Sequence, residues 1–370
     1  MATTISDTLP AQLAAHIDPD TRFYRLPEPL RLESGEVLHN AVIAYRTWGN
    51  PANAGRRAVL ICHALTASAD ADRWWPDMIG PGGAFDPATD YVICSNLLGS
   101  CYGTTGPVSR WPESDVAYRA DFPDVTVRDM VHAQRRLLDH LGVERLALVT
   151  GPSLGGMQAL EWALLYPERV AAIAPIGVGG RHSAWCLAIS EAQRAAIAAD
   201  SRWQGGYYDA DDPPLDGLAA ARMMAVCSYR SWQSFQQRFG REIRPDGCYQ
   251  VQSYLRYQGD KLNQRFDANS YVGLTRAMNS HDLARDRGDY FDVLESLRQP
   301  ALIVSVSSDV LYPPEEQQLL ARHLPNARYR VLETDDGHDG FLIKTGPLAR
   351  MIRAFREESG TESRRAANAA

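Results

Sequence analysis

Residues 146–163 read LALVTGPSLGGMQALEWA, and this stretch decides the fold. The four apolar residues 146–149 suit a short buried strand. Gly151-Pro152-Ser153-Leu154-Gly155 follows at once and fits the G-x-S-x-G pattern. From Met157 the spacing becomes helical, with a helix expected over 158–166 and closed by Pro167. Strand, tight glycine turn and helix together form the context of a nucleophile elbow. In such a turn the serine projects above the sheet at a helix N-terminus, which favours developing negative charge.

Working outward, the same alternation repeats. Apolar runs at 58–62, 91–94, 170–176, 301–306 and 329–332 read as further buried strands. Residues 126–141 carry apolar side chains at helical spacing, and Gly142 stands where a left-handed C′ residue belongs. Continuous apolar strands alternating with helices predict a mostly parallel central sheet with helices on both faces. Residues 22–45 alternate instead around Gly35, as antiparallel strands opening the sheet do. Between 181 and about 300 the strand signal stops and helical spacing takes over. The reading is an α/β core of residues 21–180 and 300–358, a helical lid insertion at 181–299, a loose N-terminal arm at 1–20 and a flexible tail at 359–370.

Composition narrows the classes. The 370 residues are 45% hydrophobic and 22% charged, which excludes a disordered chain or a coiled coil. A net charge of −7 gives no reason to expect nucleic acid or an anionic membrane as partner. No leader or membrane helix is legible, since glycines, Asn96 and Pro107 interrupt the longest uncharged stretch. The six cysteines form no CxxC pair, so they are expected reduced, in the cytoplasm. Histidines and cysteines lack metal-ligand spacing, so no metal is expected.

Ser153 as nucleophile needs a base and an acid in the order Ser, Asp, His. Asp309 follows the strand at 301–306 and His338 follows the strand at 329–332. Function gathers at such C-terminal strand ends. Asp335 and Asp336 lie nearer to His338 but read as turn formers. Among other histidines, His132 and His323 fall within helices, His281 falls in the lid, and His63 precedes the serine. The expected chemistry is acyl transfer, with His338 taking the Ser153 proton and Asp309 holding the imidazole. Two backbone N–H groups should meet the oxyanion, one from Leu154 and one near Leu65 in the HALT loop.

LICHALTASADADRWW (60–75), NLLGSCYGTTGPVS (96–109), SYLRYQGDKLNQRFDANSY (253–271), SSDVLYPP (307–314) and GHDGF (337–341) together resemble the homoserine O-acetyltransferases of the α/β-hydrolase superfamily. The resemblance implies an α/β-hydrolase fold and a ping-pong reaction with no bound cofactor. Ser153 would take acetyl from acetyl-CoA and pass it to the hydroxyl of L-homoserine, on the route to methionine. It also implies that Arg222 and Asp339 bind the amino acid, that Tyr229 lines the same pocket, and that the protein is a homodimer. The chemistry agrees: a zwitterion needs a cation for its carboxylate and an anion for its ammonium. Arg222 and Tyr229 are seven residues apart, on one helix face.

Succinyl-using relatives of this kind carry an arginine two positions after the triad aspartate, where this chain has Leu311. The serine succinyltransferases carry one near the position of Ser190. Leu311 thus favours acetyl over succinyl, while Ser190 and the HALT loop favour homoserine over serine. The remaining alternatives are an esterase or thioesterase with the same triad, which would not need Arg222 and Asp339, and a non-catalytic binding protein, which would be expected to have lost a triad member.

Overall fold

The computed structural model describes residues 10–369. Its main sheet has eight strands: β1 (Arg22–Arg25), β2 (Val42–Trp48), β3 (Ala58–Cys62), β4 (Tyr91–Ser95), β5 (Leu148–Pro152), β6 (Ile173–Ile176), β7 (Ala301–Val306) and β8 (Ala327–Leu332). They lie in the order β1-β2-β4-β3-β5-β6-β7-β8. β1 pairs antiparallel to β2, and β2 antiparallel to β4. All later pairings are parallel. A two-stranded hairpin, Leu30–Arg31 with Val37–Leu38, sits beside the sheet.

The longer helices are α1 (Val127–His140), α2 (Leu154–Leu165), α3 (Ala184–Ala198), α4 (Leu215–Tyr229), α5 (Trp232–Phe239), α6 (Gln250–Asn263), α7 (Ala268–Asn279), α8 (Tyr290–Ser296), α9 (Pro314–His323) and α10 (Thr345–Ala369). Side chains of a strand alternate between the two faces of a sheet. Leu60 and Cys62 of β3 and Ile93 of β4 therefore pack with Leu137 of α1, Met157 of α2 and Leu320 of α9. Val59, Ile61 and Val92 pack on the other face with Trp75 and with Leu348, Ile352 and Phe355 of α10. Burial on both faces explains why these strands read as unbroken apolar runs.

Thr126 caps α1 by accepting from Asp129 N, and Gly142 takes φ +69° just beyond it, as the spacing predicts. Other boundaries moved. β5 begins at Leu148 rather than 146, and α2 begins at Leu154 rather than near Met157. Between β6 and β7 the described chain forms six helices, α3 to α8, and no strand. α8 then turns onto α9, with Phe291 and His323 ring centroids 4.5 Å apart.

Two expectations at the ends are corrected. Residues 10–20 are docked, not loose. Leu13 is buried, Gln12 Nε2 donates to Asn263 O at 3.0 Å, and Asp18 pairs with Arg46 and Arg73. The short apolar spots of this segment are what it buries. Residues 1–9 lie outside the described residues. The tail expected from 359 is helical in backbone through Ala369, in keeping with the alanines and arginines there. Among the described residues no helix is long and apolar enough to cross a membrane.

Candidate active site

The elbow is built by steric necessity. Ser153 sits between β5 and α2 at φ +55°, ψ −123°. A non-glycine residue in this region costs about 1–3 kcal/mol and persists only where its surroundings impose it. Here they do. Ser153 N donates to Ile176 O at 2.9 Å, while Gly156 N and Met157 N donate to Ser153 O at 2.8 and 3.1 Å. A Cβ on Gly151 or Gly155 would lie 2.2 or 2.0 Å from Cys62 O, and one on Gly156 would lie 2.6 Å from Val178 Cγ1. The three glycines thus allow the turn to press against the end of β3.

His338 lies on a short 3₁₀ turn, Gly337–Asp339, after β8. Its Nδ1–H donates to Asp309 Oδ2 at 2.6 Å. The other oxygen, Oδ1, accepts from Leu311 N and Tyr312 N, both at 2.9 Å. With both oxygens held, the carboxylate has one orientation and fixes the Nδ1–H tautomer. His338 Nε2 is buried and has no hydrogen-bond partner in the protein, so it is the lone pair left for a proton. The ring is walled by Tyr312 (5.2 Å), Tyr229 (5.8 Å) and Phe341 (edge-on, 5.0 Å).

Gly177 ties the three groups together. It follows Ile176, whose carbonyl receives the Ser153 N–H. A Cβ on it would meet His338 Cε1 at 3.5 Å and Asp309 Oδ2 at 3.6 Å. Ser153, Asp309 and His338 therefore gather around the C-terminal ends of β5 to β8.

The other expected positions converge on the same point. Arg222 and Tyr229 share α4, with the guanidinium 5.5 Å from the Tyr229 ring. Burial pushes the Tyr229 hydroxyl up, and Arg222 opposes it. Asp339 is partly buried, and burial raises its carboxyl above the ordinary value while Arg230, Arg222 and His338 pull the other way. Leu311 is buried and sits on the loop that holds Asp309. Ser190 contacts His182 Nε2 at 3.3 Å, and His182 Nδ1 meets Tyr312 Oη at 3.1 Å.

Leu65 lies in the loop that leaves β3 beside the elbow glycines. His63 shapes that loop from within: it is fully buried, donates from Nδ1 to Ala64 O at 2.8 Å and accepts from Leu97 N at 3.2 Å. Of the rival histidines, His132 Nδ1 meets Tyr166 Oη at 2.6 Å, and His281 Nε2 meets Gly179 O at 3.1 Å. Asp336 pairs with Arg230 and Lys344, and Asp335 accepts from Gln237, so neither is bonded to His338. Among the described residues no three His, Cys, Asp or Glu side chains cluster as metal ligands do.

Residues 57–345 match the model of the alpha/beta hydrolase fold. The chain is 55% identical over 346 residues to the homoserine O-acetyltransferase of Nostoc punctiforme, covering 92% of this chain and 97% of that protein. This chain belongs to the homoserine O-acetyltransferase family. Among solved structures, the homoserine O-acetyltransferase of Bacillus anthracis shares the fold at TM-score 0.84 and 24% identity, over 91% of this chain and 97% of that one. Esterase E22 superposes equally well, at TM-score 0.84 and 27% identity, over 91% of this chain and 99% of its own.

The blocks that carried the family resemblance are now explained largely by packing. In NLLGSCYGTTGPVS, Thr104 Oγ1 and Thr105 Oγ1 accept from Ala44 N and Val42 N of the β2 segment at 2.9 and 2.8 Å. A Cβ on Gly106 would lie 2.3 Å from Ser100 O. Two residues near the site were missed from sequence. Arg265 donates from Nη1 to Thr66 O and to Tyr102 Oη, both at 2.6 Å, tying down the HALT loop. Arg230 faces Asp339, with Nε 3.3 Å from Oδ2. Arg230 directly follows Tyr229, but an arginine at a helix end carries no distinguishing spacing.

Proposed function

We propose that this protein transfers an acetyl group from acetyl-CoA to the hydroxyl of L-homoserine through an acetyl-serine intermediate. The observation that carries the reading is the 55% identity, along 346 residues, to a protein named for that reaction. In the first half-reaction Ser153 Oγ attacks the thioester carbonyl while His338 Nε2 takes its proton. The tetrahedral oxyanion is met by the N–H groups of Leu154 and Leu65. Its collapse expels CoA, and the imidazolium returns the proton to the leaving sulfur. In the second, His338 takes the proton of the homoserine hydroxyl as its oxygen attacks the acetyl carbon, and the imidazolium returns that proton to Ser153 Oγ as the O-acetyl product leaves. Asp309 holds His338 and stabilises its charged form throughout.

Arg222 takes the acceptor carboxylate, Asp339 its ammonium, and Tyr229 lines the pocket between them. Leu311 leaves the acyl pocket without a cation, which suits acetyl rather than succinyl. Residues 181–299 act as a lid that keeps water from the acyl-enzyme. We place the protein in the cytoplasm, as a homodimer joined through the lid. Trp232, Ile243 and Tyr257 there are 73%, 63% and 58% exposed.

The test follows free CoA release from acetyl-CoA or succinyl-CoA after adding homoserine, serine or water, with Ser153→Ala as the blank. Fast release is expected only with acetyl-CoA and homoserine. Preference for succinyl-CoA would overturn the role given to Leu311. Fast release with water alone would favour a hydrolase, the activity for which esterase E22 is named.

A further inference from the structure

Beside His338 the charges alternate: Arg222, Asp339, Arg230, Asp336, Lys344. Arg230 stands at the centre, with Nε 3.3 Å from Asp339 Oδ2 and Nη1 3.6 Å from Asp336 Oδ1. Lys344 Nζ lies 3.8 Å from the far oxygen of Asp336. The Arg230 side chain is 16% exposed and that of Asp339 19%, so water screens the pair weakly.

The backbone fixes this arrangement. Arg230 ends α4, the helix that carries Arg222 and Tyr229. A Cβ on Gly337, at φ +71°, would lie 2.6 Å from Arg230 C and from Ser231 N. Ser231 Oγ donates to Asp335 O and also caps α5. The end of α4 is thereby bolted to the loop that bears His338 and Asp339.

An anion meant to hold an ammonium must remain charged before the ammonium arrives. Burial works against that charge, and a carboxyl that gained a proton would lose most of its attraction for a cation. Arg222 is committed to the acceptor carboxylate. Arg230 Nε is buried with no hydrogen-bond acceptor. Its contact with Asp339 is thus one of charge rather than a closed two-bond fork, and the carboxylate keeps lone pairs for a ligand.

We propose that Arg230 is a positioning residue for the acceptor, keeping Asp339 ionised and turned toward the ammonium group of an α-amino acid without touching the acyl donor. The proposal rests on the acyl-transfer reading above. The groups facing Asp339 are Arg230, Arg222, His338 and Asp309, and Asp335 and Asp336 share its loop.

The test separates the half-reactions. Acyl-enzyme formation is followed by mass spectrometry after mixing with acetyl-CoA, and transfer by CoA release at varied homoserine. Arg230→Met should raise the KM for homoserine roughly tenfold or more, a pairing loss on the order of 1.4 kcal/mol, and leave acyl-enzyme formation within about twofold. Arg230→Lys should recover most of the loss. Both half-reactions use the same base, so the ratio of their rates isolates Asp339. The acid limb of that ratio should move to higher pH in Arg230→Met. It should move to lower pH in Asp336→Asn, where Arg230 has one anion fewer to serve. An unchanged KM, equal losses in both half-reactions, or an unmoved acid limb in Asp336→Asn would overturn the proposal. If Arg230→Met fails to fold, Arg230→Lys and Asp336→Asn carry the test. Wild-type protein that shows no homoserine-dependent CoA release would instead defeat the acyl-transfer reading itself.

Discussion

Leu311 shows how much one position is asked to decide. Its N–H helps hold Asp309 Oδ1, its carbonyl accepts from Cys186 Sγ at 3.2 Å, and its side chain is 5% exposed. The backbone duties do not depend on the side chain, so Leu311→Arg should leave the His338–Asp309 pair in place. A guanidinium placed there needs an anion, which a succinyl group supplies and an acetyl group does not. The kcat/KM ratio of succinyl-CoA to acetyl-CoA should rise at least about tenfold, the worth of a single 1.4 kcal/mol contact. No change in the ratio would move donor choice to another residue. The Asp309–His338 pairing was legible because motif and chain order constrain it, whereas Arg222 was singled out by the family resemblance and not by its helix spacing. Arg230 and Arg265 were not legible, because their partners, Asp339 and Thr66, lie 109 and 199 residues away. No local pattern encodes such a contact.

At the level of elements, the alternation of apolar strands and helices was read correctly because burial on both faces leaves each strand uniformly apolar. Boundaries moved where glycine and proline took regular structure: β5 runs through Gly151 to Pro152, and α2 starts before its own glycines. Tertiary packing against Cys62 O sets those limits, and local propensity cannot report it. The docked segment at 10–20 was misread for a similar reason, since its few apolar residues gain their value only from the surface they cover. Gly259, in the LRYQGDK block, makes the same point. A Cβ there would lie 2.8 Å from Ala219 Cβ and 3.1 Å from Ala219 Cα, so the glycine sets how closely α6 approaches α4. Gly259→Leu should push the helices apart and cost about 1–3 kcal/mol of stability. Because α4 carries Arg222 and Tyr229, homoserine KM should rise more than acyl-enzyme formation slows. A melting temperature within a degree of wild type would show that α6 is free to shift, and that this contact does not place the acceptor site.

For the molecule as a whole, buried ionisable groups set how stability follows pH. Burial holds His63 down to about 4 and His182 down to about 3, from an ordinary value of 6.5. His63 must also stay neutral to accept the Leu97 N–H. Below about pH 6.5 the unfolded chain binds protons at these positions that the folded chain refuses. Stability is therefore lost as pH falls from about 6.5 toward 4, by up to about 1.4 kcal/mol per pH unit for each histidine. Glu316 acts in the opposite sense. Burial and the nearby Asp309 charge raise it to about 7, although a Ser183 hydrogen bond pulls it down. Between pH 4.5 and 7 the folded state keeps a proton there that the unfolded chain has released, so acidification through that range adds stability. Two histidines outweigh one glutamate below 6.5, and below 4.5 the glutamate contributes no further change. The melting temperature should accordingly be highest near neutrality and fall between pH 6.5 and 4.5. Glu316→Gln removes the opposing proton and should steepen that fall. A wild-type melting temperature that stays level from pH 6.5 to 4.5 would mean that His63 and His182 accept protons without unfolding, and the Leu97 contact would then have to yield before the fold does.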